Sequence, residues 1–147
     1  MAGPEPNNPV RIYQQAIGFY LAGHRCLLDI PLGPKTNQSL PIPAVVNFVF
    51  SIELFLKSIL VKKGKGKKGH KIKELLNDCP PDIIEQVRKE YDSVCPSPNF
   101  NEITVIVNDM FVQVRYEYEY NVNGLYDSAV ITFARSLYIV CDTLHKE

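Results

Sequence analysis

Residues 44–76 read AVVNFVFSIELFLKSILVKKGKGKKGHKIKELL: a long apolar helix, a lysine- and glycine-rich loop, then a short amphipathic helix. Placed on a wheel at about 100° per residue, Val45, Val46, Phe48, Val49, Ile52, Phe55, Leu56, Ile59 and Leu60 share one broad face. Glu53 falls inside that face, between Val46 and Leu60. A carboxylate there must find a cation or bear a desolvation cost of roughly several kcal/mol. Lys57 lies one turn on, at the favourable Glu-before-Lys spacing. Glu53 is therefore either a buried or half-buried anchor for a cation, or one half of a weak pair on an exposed helix edge.

Outward from this stretch, helical spacing recurs. Asn8 followed by Pro9 offers a capping side chain and then a residue that needs no amide donor. From Val10 to Ile30 the apolar positions Ile12, Tyr13, Ala16, Ile17, Phe19, Tyr20, Leu21, Leu27 and Leu28 fit a helix that Pro31 ends. Four prolines between Pro31 and Pro43 make that segment an extended connection. The second helix is expected from about Pro43 to Lys63, a short one near Lys71 to Asn77, and another from Pro81 to about Val94. Residues 102–120 contain ITVIV and VQV, which favour strand by composition. Yet Ile103, Ile106, Val107, Met110, Phe111, Val114 and Tyr118 fit one helical face, and strict alternation fails, so a helix is expected. The last helix should run from Asp127 to Leu144. The fold class expected is all-α, an antiparallel up-and-down bundle of four long helices plus one or two short ones. It should form a single domain over residues 1–147, with residues 1–8 as a flexible N-terminal tail.

Composition excludes several function classes. Sixteen basic and sixteen acidic residues cancel, which removes any global attraction to nucleic acid or anionic membrane and leaves only local patches. Cys26, Cys79, Cys95 and Cys141 have no metal-type spacing, and the three histidines are scattered. No zinc site, no other metal and no cofactor is expected, and the thiols suit a reducing compartment. MAGPEPNNPV lacks a signal-peptide pattern, and no uncharged apolar run of about 18 residues occurs, so a cytoplasmic protein without a membrane span is expected.

Gly64, Gly66 and Gly69 match GxGxxG in form only, since no strand precedes them and His70 stands where a phosphate loop needs lysine. The loop's charge is more telling. Lys62, Lys63, Lys65, Lys67, Lys68, Lys71 and Lys73 fall within twelve residues. They form either a solvated loop or a brush that steers a polyanion such as RNA. His24, in the apolar arc of the first helix, is expected to be a core histidine. His70 could open and orient the short helix. His145 sits at a fraying terminus, where no function is expected. In FVQVRYEYEY, residues 111–120, Arg115 borders the apolar face, with Glu119 one turn on and Tyr116 paired with Tyr120. Arg115 either joins Glu53 in an ion-pair network between helices, or lines a cleft that holds a phosphate while the tyrosines stack on a base. Val105 and Val112 lie opposite the main apolar arc and suggest a second seam, hence a homodimer.

The order ELFLKSIL, loop, GHKIKELL, then a helix with FVQVRYEYE resembles the HEPN superfamily of prokaryotic helical bundles, over most of the span from Val10 to Leu144. In that family the second helix usually carries a glutamate and lysine one turn apart, as Glu53 and Lys57 do. A glycine and histidine precede the short third helix, as Gly69 and His70 do. The resemblance implies dimerisation through bundle helices. It also implies a role in RNA cleavage, toxin–antitoxin pairs or phage defence, or as an inert partner of a nucleotidyltransferase protein. Ribonuclease members resemble one another in an arginine followed four to six residues later by a histidine. No arginine here has a histidine at that distance: Arg115 reaches Tyr120, and Arg135 is too far from His145. The expectation is thus a non-catalytic module binding RNA, a nucleotide or a protein partner. The alternative is a divergent metal-independent ribonuclease toxin using Arg115 with Tyr120 or His70.

Overall fold

Among the described residues, six helices and one small hairpin follow in chain order: α1 (Pro9–Cys26), β1 (Ile30–Gly33), β2 (Thr36–Gln38), α2 (Pro41–Lys62), α3 (Ile72–Asp78), α4 (Pro81–Val94), α5 (Phe100–Arg115) and α6 (Asp127–Leu144). This computed structural model describes residues 8–28, 30–34, 36–38, 40–66, 69, 71–115 and 127–147, with the backbone alone at 30–33, 36–38, 111–115 and 127. The expected all-α class holds. The α4 and α6 boundaries fall where proline, capping and periodicity place them, and residues 100–115 are helix despite their β-branched composition.

The C-terminal boundary of α1 differs from expectation for a local reason. Helix α1 stops at Cys26, and the residues expected to continue it turn into the antiparallel pair β1–β2, with Ile30 opposite Gln38. Ile30 precedes Pro31, which disfavours helical φ/ψ at Ile30 and pushes it to extended backbone. The Leu40 amide then donates to the Cys26 carbonyl at 2.7 Å and closes the excursion. At the other end of α1 the capping expectation holds: Asn8 Oδ1 accepts from the amides of Val10 and Arg11.

Helix α2 is the axis of the core. Ile52, Phe55, Leu56, Ile59 and Leu60 are all fully buried, and the helix packs on α1, α3, α5 and α6. It alone among the described helices is long and apolar enough to cross a membrane, but 67% of that span is buried within the fold, as in a core helix. Ring contacts give relative directions. Tyr13 meets Phe55 whereas Tyr20 and His24 meet Phe48, so α1 and α2 run antiparallel. Phe55 meets Tyr138 whereas Ser58 meets Cys141 and His145, so α2 and α6 run the same way. Gly23 permits the α1–α2 approach, since a Cβ there would stand 2.8 Å from the Phe48 ring. Under the other side of α6, Tyr91, Phe100 and Phe133 join α4, α5 and α6, and the Tyr91 hydroxyl donates to the Pro98 carbonyl at 2.6 Å.

Candidate functional site

The end of α2 is built to present lysines. Gly64 adopts φ +75°, a region that costs any residue with a Cβ. The Gly64 amide donates to Val61 O, and the Lys65 amide to Leu60 O. This pair of bonds is the Schellman arrangement that satisfies the last helical carbonyls. The first glycine of the loop therefore stops a helix and cradles no phosphate. Lys62, Lys63 and Lys65 sit where a helix C-terminus favours positive charge. Lys65 Nζ donates to the Asp78 carbonyl at 2.8 Å, and Lys62 Nζ lies 3.4 Å from the Glu147 carbonyl. Lys63, Lys71 and Lys73 are exposed. Helix α3, which carries Lys73, is anchored by α5: the Lys73 amide donates to Asn108 Oδ1 at 3.1 Å, filling one orphan donor of its first turn. Lys67, Lys68 and His70 lie outside the described residues, so the expectation for His70 falls there too.

Glu53 and Lys57 form the pair their spacing predicts, Nζ to Oε2 at 3.3 Å, with side chains only 16% and 11% exposed. It is an intrahelical pair, as in the exposed-edge reading, yet nearly buried, as in the anchor reading. Arg115 closes α5, but its side chain lies outside the described residues, as do Tyr116, Glu119 and Tyr120. The expected approach of Arg115 to Glu53 falls there as well. Val105 is 54% exposed on α5, and the side chain of Val112 is again outside the described residues.

The two remaining histidines correct their sequence readings. His24 is exposed and meets Tyr20 and Phe48 edge-on, at centroid distances of 4.7 and 5.1 Å. It falls at the margin of the core, where the neighbouring Gly23 rather than His24 lies over the Phe48 ring. His145, expected to fray, is held. Its ring stacks on Tyr13 at 4.7 Å, and Nε2 lies 3.1 Å from Ser58 Oγ. The Ser58 hydroxyl donates to the Phe55 carbonyl at 2.7 Å, and the tautomer assigned to complement it carries the proton on Nε2. Nδ1 is then a bare acceptor, buried and without a hydrogen-bond partner among the described residues. Burial, and secondarily the charge of Lys62, holds the imidazole below its ordinary pKa. Sequence reasoning missed this residue because its partner is 87 positions away.

Around His145 the groups interlock. Tyr13 donates to Asp142 Oδ1 at 2.9 Å, and Lys146 pairs with Asp142 Oδ2 at 2.9 Å. The Lys146 hydrogen bond first, and the Tyr13 bond next, hold the Asp142 carboxyl below its usual range. Burial and Asp142 push the Tyr13 phenol upward. Cys141 and Cys79 are pushed up to about 12 by burial, which leaves both as inert core thiols. A cavity of about 120 Å³ opens nearby, among Lys63, Asp82, Gln86, Thr143 and Glu147. No group of histidine, cysteine and carboxylate residues among the described residues could hold a metal ion. The arrangement offers point charges for an anion, and His145 is turned inward onto Tyr13 and Ser58.

No curated protein and no solved structure matches the chain. The family model of the HEPN domain matches residues 43–139, from the first turn of α2 into the second half of α6. That span is more than half of the 147 residues, and the chain belongs to the HEPN family.

Proposed function

We propose that this chain is a non-catalytic HEPN module that binds RNA through the lysine-rich end of its helices, within a toxin–antitoxin or defence setting. The observation that carries the reading is the gathering of charge. Lys62, Lys63 and Lys65 stand at the end of α2, Lys71 and Lys73 at the start of α3, and Lys65 Nζ reaches the Asp78 carbonyl at the far end of α3. No acidic residue occurs between positions 62 and 73. A neutral protein thus carries one concentrated source of positive potential, and counterion release from phosphates supplies affinity there. The sequence supports a non-catalytic role, because no arginine stands four to six residues before a histidine. His145 supports it too, with Nε2 engaged by Ser58 and a pKa held low by burial.

The same reading takes the protein as a single cytoplasmic domain that works as a homodimer, in partnership with a nucleotidyltransferase protein. Its four long helices, α1, α2, α5 and α6, form the up-and-down frame; the opposed directions of α1 and α2 support this. The test is binding of a labelled oligoribonucleotide in the presence of a chelator. Intact RNA and an affinity that falls with salt are expected, with a log–log slope of about −2 for three engaged phosphates on a single strand. Degradation of the RNA, abolished by Arg115→Ala, would instead establish the divergent ribonuclease.

A further inference from the structure

Five rings form a continuous ladder of stacked, tilted and edge-on contacts along the seam between α1 and α6. His145 stacks on Tyr13 at 4.7 Å; Tyr13 lies 6.4 Å from Tyr138, Tyr138 5.3 Å from Tyr20, and Tyr20 4.7 Å from His24. The periodicity behind it is helical on both sides. Tyr13, Tyr20 and His24 share one stripe of α1, and Arg135, Tyr138, Asp142 and His145 share one stripe of α6 and its C-terminal turn. Only Tyr13 is buried; Tyr20, Tyr138 and His145 are half-buried and His24 is exposed. The inner edges of Tyr13, Tyr20 and Tyr138 pack on Phe48 and Phe55 of α2, and the half-buried rings keep part of their surface toward solvent.

The charges beside the ladder are cationic in effect. Arg135 is exposed and close enough to Tyr20 to act on its phenol. Lys62 faces His145. The one carboxylate on the stripe, Asp142, is already neutralised by Lys146 and the Tyr13 hydroxyl. Rigid aromatic rings flanked by cations are what unpaired bases use, because every base has a π-face and its phosphate needs a counter-charge. The ladder also begins, at His145, beside Lys62, where the lysine-rich end stops.

We propose that the α1–α6 ring ladder is a stacking surface for the unpaired bases of single-stranded RNA, entered at His145 from the lysine-rich end. This rests on the RNA-binding reading above and adds a second, salt-insensitive half to it. Lysines steer the backbone, and Tyr138, Tyr20 and His24 hold successive bases.

The chain has eight tyrosines and no tryptophan, so its intrinsic fluorescence reports on tyrosine stacking. Titration with oligouridine should quench that emission, whereas inorganic polyphosphate should displace the RNA without quenching. Tyr20→Leu with Tyr138→Leu should weaken oligouridine binding at least about fivefold with the salt slope unchanged. Tyr20→Phe with Tyr138→Phe should retain affinity, and circular dichroism checks that each variant is folded. Equal binding by the leucine variant, or no quenching of the wild type by bound RNA, overturns the ladder while the lysine reading stands. No RNA binding by the wild type even at low salt overturns both. A leucine variant that shifts the sedimentation of the protein but not its RNA affinity overturns the ladder in favour of a second copy covering the groove.

Discussion

His145→Ala tests whether the last turn of α6 is part of the fold or a loose end. Two interactions are lost. The Nε2–H to Ser58 hydrogen bond, at 3.1 Å, is worth about 1 kcal/mol net. The stacking of imidazole on Tyr13, at 4.7 Å and 27°, adds about 0.5–1.5 kcal/mol for a well-made aromatic pair, the lower figure suiting a half-buried ring. The variant should therefore lose about 1.5–2 kcal/mol, which lowers the melting temperature by roughly 3–8 °C in a protein of this size. The pH dependence supplies a second signature. The imidazole is held below its unfolded value by burial and by Lys62, and Tyr13, Asp142, Cys141, Lys146 and Ser58 are the other groups around it. The unfolded chain binds the proton more readily than the folded one. The contribution is thus fully present above pH about 6.5 and is lost as pH falls from there toward the folded pKa. The slope cannot exceed about 1.4 kcal/mol per pH unit for one proton, and a half-buried ring should show a fraction of that. Melting curves by far-UV circular dichroism between pH 5 and 8 measure both. If His145→Ala melts with the wild type at pH 7.5, or the two curves fall in parallel below pH 6.5, the lock described here is not holding α6.

Other residues give independent checks. Gly64→Ala places a Cβ at φ +75° and should cost about 1 kcal/mol by urea unfolding, with the denaturant slope unchanged. Gly23→Ala sets a methyl 2.8 Å from the Phe48 ring and should cost about 1–3 kcal/mol; combination with Phe48→Leu should recover part of the loss, and strict additivity of the two would contradict the contact. Tyr91→Phe removes the donor to Pro98 O and should cost about 1–2 kcal/mol, read from thermal melts. Glu53→Ala leaves Lys57 only 8% exposed and should cost about 1–3 kcal/mol, above an exposed pair and below a fully dry one. An unchanged melting temperature in that variant would return the pair to the surface class.

Local physics determined the helical class and most helix ends. The apolar arc of α2, the Cys-Pro-Pro-Asp start of α4 and the periodicity of α6 are properties of residues three and four apart, and the structure reproduces them. The Glu53–Lys57 pair was legible for the same reason, since both partners ride on one helix. The sequence also located the lysine cluster, but its three glycines looked alike. Only the backbone at Gly64, with φ +75° and two closing hydrogen bonds, showed that the first of them ends a helix. The departure of α1 into a hairpin needed a partner strand and the Leu40–Cys26 bond, which no window around Leu27 contains. His145 and the ring ladder needed more still. Tyr13 and Asp142 are 129 positions apart, and Ser58 and His145 are 87 apart. Their meeting depends on how α1, α2 and α6 are directed past one another. Helix spacing fixes which side chains share a face; which faces then meet is decided only when the core closes.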